Sequence, residues 1–205
     1  MGKVIEGFGT DSAGYQFMWI ILVLGGAALG LGLERFIYIV VKSGKGRKEF
    51  MKSIAGLLKA DKIADAEQYA KASQLPLAKC IYAALANRDK GREGMERATD
   101  EVFLTEAPRI NRYLSLMVTL ANLATLTGLL GTIFGLILSF DAVANLPAAE
   151  RPQALADGIA VAMGTTFMGL VVAVPLLALN GYFTMQSTRL IEEMEEKSLK
   201  VMNLL

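Results

Sequence analysis

Three long apolar segments, each bounded by charged residues, dominate the hydrophobic pattern of this chain. The first covers residues 17–41 and is interrupted by Glu34 and Arg35 near its end, the second covers residues 113–140, and the third covers residues 159–183. At about 1.5 Å per helical residue, each segment can cross the roughly 30 Å hydrocarbon core of a bilayer. The pattern predicts an all-α integral membrane protein with three transmembrane helices.

The segment between the first and second apolar runs, residues 42–112, has a different character. Its apolar residues recur at helical spacing among many charges, with breaks at Pro76 and Gly91. This spacing predicts a small helical domain. Pro108 lies just before the second apolar run, where we expect a kink or a helix boundary.

The distribution of basic residues predicts how the chain crosses the membrane. Residues 42–112 hold 15 Lys and Arg against 10 Asp and Glu, so the positive-inside rule makes this domain cytoplasmic. Residues 1–16 and the loop 141–158 are then periplasmic. Residues 184–205 continue an amphipathic helix beyond the third span, with a cytoplasmic carboxyl terminus. Helices 2 and 3 are both expected to extend into the cytoplasm.

Composition narrows the function classes. The chain is 53% hydrophobic, and its net charge of +1 does not indicate a nucleic-acid-binding protein. It has no histidine and one cysteine, Cys80, which removes the commonest general base and any cysteine-histidine pair. We expect neither an enzyme active site nor a bound cofactor or metal. We interpret Cys80 as a small apolar residue that is buried in the core.

Small and polar residues form one stripe on each of the last two membrane helices. In the second span the stripe comprises Asn122, Thr125, Gly128, Thr132, Gly135 and Ser139. In the third it comprises Gly158, Ala162, Thr166, Gly169, Ala173, Asn180 and Thr184, with Thr165 on its flank. Helix packing explains the glycines, which include a GxxxG at Gly131 and Gly135. The accumulated hydroxyls favour a hydrated or partner-lined pathway instead.

Neither stripe contains a carboxylate, an amine or an imidazole. These two helices therefore cannot by themselves take up and release a proton in the middle of the membrane. If protons move along this path, another subunit supplies the acid. Glu34 and Arg35 are the ionisable pair within an apolar run. We interpret them as an interfacial anchor or a local salt bridge, with a direct transport role as the alternative.

Four stretches of this sequence resemble one known family. They are Leu-Glu-Arg at residues 33–35, Gly-Leu-Leu-Gly-Thr-Ile-Phe-Gly at residues 128–135, Thr166 followed by Gly-Leu-Val-Val-Ala-Val-Pro at residues 169–175, and Asn180. Together they resemble the MotA/TolQ/ExbB ion-channel family, and within it the three-helix ExbB and TolQ branch. A flagellar stator subunit fits less well, because that branch resembles a longer, four-helix chain.

The resemblance implies an architecture and a set of partners. It implies a homopentamer in the bacterial inner membrane whose second and third helices line a central pore. Two copies of an ExbD or TolR type protein, each with one transmembrane helix and a membrane aspartate, would occupy that pore. Ion flow would turn one component within the other, and a TonB-like or other periplasm-spanning protein could receive the force. No nucleic acid is implied.

The resemblance also implies site residues. Thr132 and Thr166 match threonines close to the partner aspartate, and Pro175 joins Glu34 and Arg35 as a structural interface residue. Relatives of the ExbB type usually carry a glutamate where this chain has Val161, so a proton-path role for that glutamate cannot be transferred.

The transported ion is expected to be a proton, with sodium as the alternative. The pair of Thr165 and Thr166 resembles sodium-driven stators, and hydroxyl oxygens are hard donors that could bind sodium together with Thr132. A passive membrane scaffold that assembles through its small-residue stripe is the competing hypothesis from a different class.

Overall fold

The structure, a computed structural model, describes residues 15–43 and 46–205, and all regular secondary structure within them is helical. The α-helices are α1 Tyr15–Arg35, α2 Arg47–Lys59, α3 Ile63–Ala72, α4 Pro76–Ala86, α5 Gly91–Ile110, α6 Leu114–Ala144 and α7 Arg151–Met202. A π-helical segment, Phe36–Lys42, continues α1, and a 3₁₀ turn, Arg88–Lys90, precedes α5. Most of the predicted periplasmic amino terminus, residues 1–14, lies outside the described residues.

Three helical stretches among the described residues are long and apolar enough to cross a membrane. They are Tyr15–Val41, Arg88–Asp141 and Arg151–Met202. Their apolar parts coincide with the three runs of the hydrophobic pattern. The prediction of an all-α membrane protein with three transmembrane helices is confirmed.

The chain folds as two compact units. Residues 15–33 and 113–181 form the membrane unit, and residues 34–112 and 182–205 form the loop unit. The membrane unit contains α6, most of α1 and the first part of α7. The loop unit contains α2 to α5 and the last part of α7.

Helix α4 is the centre of the loop unit and packs against α3 and α5. Its first residue is Pro76, and the extended Leu75 before it suits the conformation that a following proline imposes. Buried side chains on α4 include Leu77, Ala78, Cys80, Ile81, Ala84 and Leu85. Burial, reinforced by the nearby Glu106 carboxylate, raises the pKa of the Cys80 thiol to about 12, so this cysteine is an inert core residue.

The predicted helix breaks occur where proline and glycine indicated them. Gly91 begins α5 with a φ of +70°, a conformation that glycine adopts at little cost. Pro108 lies in the last turn of α5, which ends at Ile110, and α6 begins at Leu114. Tyr113, directly before α6, has a φ of +66°, which is uncommon for a residue with a side chain.

The connection between the second and third membrane segments is shorter than the predicted loop 141–158. Helix α6 continues to Ala144 and α7 already begins at Arg151, so only residues 145–150 lie between the two helices. Pro152 is the second residue of α7 rather than part of a loop, because the first turn of a helix tolerates a residue without an N–H. This corrects the predicted loop boundaries.

Helices α6 and α7 approach each other at their glycines. A Cβ atom at Gly128 would lie 2.9 Å from the carbonyl oxygen of Thr165, and one at Gly169 would lie 2.6 Å from the carbonyl oxygen of Ala124. Only glycine permits this backbone contact. Helix α1 joins the same unit through Phe17, whose ring centroid lies 5.5 Å from that of Phe134.

We expect Gly169→Ala to lower the free energy of unfolding of the chain by about 1–3 kcal/mol, because the new methyl group must push the α6 backbone away. Gly181→Ala is the matched control on the same helix, since nothing lies within 4 Å of a Cβ there. It should leave stability unchanged or raise it by up to about 1 kcal/mol. Thermal unfolding of both variants in detergent measures the difference, and equal stabilities would contradict this packing.

Candidate functional site

Three threonine hydroxyls and two backbone carbonyls form one oxygen cluster between α6 and α7. Thr132 Oγ1 lies 2.9 Å from the carbonyl oxygen of Ala162 and 3.3 Å from Thr165 Oγ1, and it hydrogen-bonds Thr166 Oγ1. The Thr165 hydroxyl is within reach of the Gly128 and Ala162 carbonyls, at 2.9 and 2.7 Å. The Thr166 hydroxyl lies 3.1 Å from the Gly128 carbonyl. The structure thus brings the three predicted ion-pathway residues together.

The chemistry of this cluster is that of a neutral polar site. Each hydroxyl has one proton to donate and two lone pairs, and each carbonyl only accepts. The cluster can therefore hydrogen-bond a water, a protonated group or a carboxylate, and its oxygens are donors that suit a hard cation. It cannot ionise near neutral pH, so it carries no charge of its own.

The three threonines differ in exposure. Thr165 is only 1% exposed, whereas Thr132 and Thr166 are half-buried. Thr165 is closed off because it points into the contact around Gly131, where a Cβ would lie 2.8 Å from its hydroxyl oxygen. Within this cluster, only Thr132 and Thr166 can meet a second polypeptide.

The structure divides the rest of the predicted pore-lining stripe. Its buried members are Gly128, Gly135, Ser139, Ala162, Gly169, Ala173 and Asn180. Within this chain they are enclosed by neighbouring residues, and their place along a pore stays a prediction. The physical reason is that small residues allow two helices to come close, so the stripe that looked open in the sequence is largely used for packing.

The open members of the stripe lie on α6 and at the end of the third span. Asn122 and Thr184 are exposed. Thr125 is half-buried, and its hydroxyl donates to the Ala121 carbonyl of its own helix, at 3.1 Å. On α7, Val161 is half-buried and supplies no polar group.

Asn180 has a structural role that the sequence did not indicate. Its side-chain amide donates to the carbonyl oxygen of Leu114, the first residue of α6, at 2.6 Å. The bond joins α7 to the start of α6 and satisfies both polar groups inside the unit. The helical spacing of Asn180 predicts only which face of α7 carries it. The hydrogen-bond partner lies on α6, so the sequence could not predict this bond.

Glu34 and Arg35 form the local salt bridge that was one of the interpretations of this pair. The Arg35 guanidinium is 2% exposed, and its Nη1 donates to the carbonyls of Arg109 and Ile110 at 3.1 and 3.3 Å. These carbonyls belong to the last turn of α5, where helices lack internal partners and favour a cation. Pro175, the other predicted interface residue, is exposed on α7.

Sequence reasoning missed two polar contacts of the loop unit. The Ser187 hydroxyl hydrogen-bonds the Asn111 side chain. Lys79 and Arg109 both bind Glu106, a carboxylate only 4% exposed. Glu106 and Arg109 are three residues apart on one helix, a spacing that brings two side chains together. The sequence could therefore have predicted the pairing of Glu106 with Arg109, but not its pairing with Lys79. Among the described residues there is no cluster of three or more His, Cys, Asp or Glu that could hold a metal.

We expect Thr165→Val to lower the free energy of unfolding by about 0.5–2 kcal/mol, because the Gly128 and Ala162 carbonyls lose a buried donor. Thr165→Ser keeps the hydroxyl and is the matched control, with a smaller loss. Thermal unfolding in detergent distinguishes them. A valine variant as stable as the wild type would show that this hydroxyl does not hold the two helices together.

Comparison with known proteins identifies the family. A sequence model described as the MotA/TolQ/ExbB proton channel family matches residues 72–196, more than half of the chain. An ExbB homologue from Methanothermobacter thermautotrophicus is 29% identical over 183 residues, which cover 89% of this chain and 63% of that protein. The chain therefore spans slightly less than two thirds of the length of this relative.

Two further relatives carry names from the same family. Biopolymer transport protein exbB1 from Vibrio cholerae is 26% identical over 188 residues, covering 91% of this chain and 82% of its own. The Tol-Pal system protein TolQ from Pseudomonas aeruginosa is 30% identical over 103 residues, covering 50% and 44%. With three apolar helices and these matches, the chain belongs to the MotA/TolQ/ExbB proton channel family, in its ExbB/TolQ-like branch.

Proposed function

We propose that this chain is the channel-forming subunit of an ion-driven motor in the bacterial inner membrane. Ion flow would energise a partner of the ExbD or TolR type, and the partner would transmit force across the periplasm to a TonB-like or other spanning protein. Membership of a proton channel family supports the proton as the transported ion. The names of the relatives support a subunit of the ExbB/TolQ-like branch. The chain is then a transport subunit and has no catalytic residues.

The hydroxyl cluster is the observation that carries this proposal. Thr132 and Thr166 lie in the interior of two apolar segments and keep one side open. No carboxylate, amine or imidazole occurs in residues 114–140 or 159–183. A polar and neutral site in the membrane stabilises a charged group that is brought to it, since an unpaired charge in hydrocarbon is costly. The partner's membrane aspartate would be that group.

Burial determines how the site would work. Thr165 and the glycines around it pack α6 closely against α7, and this packing positions the two open hydroxyls. The open side of α6 continues toward Asn122 through Thr125 at helical spacing. An aspartate moving along this face would exchange hydrogen bonds with the hydroxyls, so its protonated and ionised forms would both be accommodated.

Assembly would place this face around the partner. Many large apolar side chains of α6 and α7 are exposed, as expected for helices that meet lipid or other copies of the chain. We propose a homopentamer that encloses two single-span partners, following the resemblance. The basic loop unit would be cytoplasmic, with the amino terminus periplasmic and the carboxyl terminus cytoplasmic.

The first test is ion flux through the chain reconstituted with its single-span partner in liposomes. We expect Thr132→Val and Thr166→Val each to lower flux by about tenfold, the loss that corresponds to one hydrogen bond to a charged group. Thr119→Val is the matched control, because that exposed hydroxyl donates only to the Ser115 carbonyl of its own helix, at 3.1 Å. Assembly should be intact in all three variants.

The competing hypothesis predicts a different result. If the chain is a passive oligomeric scaffold, the valine variants should assemble and support activity like the wild type. Unchanged flux in Thr132→Val, with Thr119→Val also unchanged, would therefore contradict the ion-pathway proposal and favour the scaffold.

The second test concerns the ion. We expect flux driven by a proton gradient to persist when all sodium is replaced by potassium, because the partner aspartate supplies the titratable group. Thr165→Ala should then leave the ion preference unchanged. Loss of flux in potassium, restored by sodium, would show that the cluster of Thr132, Thr165 and Thr166 serves sodium instead.

A further inference from the structure

A polar cavity of about 210 Å³ lies within the loop unit, outside the hydroxyl cluster. It is bounded by the end of the π-helical segment, the start of α4 and the last turn of α5. Its polar lining consists of Tyr38, Ser43, Gln74, Lys79, Glu106 and Arg109. Side chains from three separate parts of the chain thus converge on one small space.

Ser43 lines this cavity, and its side-chain hydroxyl is buried there without a hydrogen bond to the described residues. The residue as a whole is only 1% exposed. A buried hydroxyl without a partner is unfavourable, so structures usually provide one from the protein, water or a ligand. Here the cavity is the space from which a partner can come.

Two cations give the cavity a positive balance. Lys79 Nζ and Arg109 Nη1 bind the same oxygen of Glu106, at 2.9 and 2.7 Å. The single carboxylate compensates only one of the two positive charges. Both basic side chains remain partly exposed, and an ammonium and a guanidinium together offer more donors than one carboxylate oxygen accepts.

The start of α4 adds a third source of positive potential. This helix of 11 residues begins at Pro76, has no side-chain cap, and carries no acidic residue in its first turn. The first N–H groups of a helix have no internal partners, and the helix dipole favours an anion beside them. Helix amino termini of this kind bind phosphate groups.

We propose that this cavity binds a phosphate group, and that the headgroup of an anionic phospholipid presents it. Ser43, Lys79 and Arg109 would hold the phosphate oxygens beside the start of α4, with Glu106 orienting the two cations. The volume is below the roughly 300–1,000 Å³ of pockets for larger ligands, which suits a headgroup phosphate. Tyr38 lies near the end of the apolar stretch Tyr15–Val41, and Arg109 lies shortly before the apolar run that begins at residue 113. Basic clusters at the ends of membrane spans are attracted to anionic lipid surfaces.

The test uses the full chain in uncharged detergent, with binding of a soluble short-chain phosphatidylglycerol and of inorganic phosphate measured by calorimetry. Lys79→Gln should weaken phosphatidylglycerol binding by about tenfold, the loss of one charged hydrogen bond. Arg97→Gln is the matched control, since this exposed arginine of α5 pairs only with Glu93 one turn away. It should bind like the wild type.

Ser43→Ala provides a test that does not depend on the folding of a charge variant. Removing an unpartnered hydroxyl should leave the melting temperature without ligand equal or higher, while phosphatidylglycerol binding falls about threefold. A purely structural Ser43 would lower the melting temperature and leave binding unchanged, which would overturn the assignment.

Comparing phosphatidylglycerol with inorganic phosphate shows whether a lipid or a soluble compound presents the phosphate group. Tight, variant-sensitive binding of phosphatidylglycerol, with weak competition by inorganic phosphate, supports the lipid headgroup. Binding of inorganic phosphate alone would overturn the lipid source and assign the cavity to a soluble phosphate compound. Equal losses in Lys79→Gln and Arg97→Gln, or no binding of either ligand, would refute the site. These outcomes are independent of ion flux through Thr132 and Thr166.

Discussion

The backbone contact between α6 and α7 at Gly128 and Gly169 is the constraint on which the membrane unit depends. Apolar side chains gain little by leaving lipid for protein, so helices in a membrane associate through close packing and hydrogen bonds. The glycines allow the close approach, and the Thr165 hydroxyl then reaches the Gly128 carbonyl across the interface. The positions of Thr132 and Thr166 follow from this contact.

This arrangement separates two uses of polar residues within one membrane. Thr165 and Asn180 are buried and join the helices, whereas Thr132 and Thr166 keep an open side. A neutral pair of hydroxyls can stabilise an ion or a protonated acid but cannot generate one. The proposed motor therefore requires a charged group from a second protein, and this chain supplies the housing around it.

The loop unit uses charge differently, at the ends of its helices. Arg35 binds the carbonyls at the end of α5, and Lys79 and Arg109 surround a buried carboxylate near the start of α4. Helix termini have unpaired backbone groups, so charged side chains are most effective there. The proposed phosphate site arises from the same physics, because an uncapped helix start, two cations and an unpaired hydroxyl share one cavity.

The sequence by itself determined the three membrane helices, the helical loop, its breaks and the face of each helix that carries hydroxyls. These features depend on run length, helical period and the local effects of proline and glycine, all of which are properties of neighbouring residues. Tertiary structure alone decided which residues of that face are enclosed. Thr165 and Thr166 are adjacent in sequence, yet Thr165 is buried and Thr166 is half-buried. The reason is that α6 covers the side of α7 that carries Thr165 and leaves the side chain of Thr166 partly open.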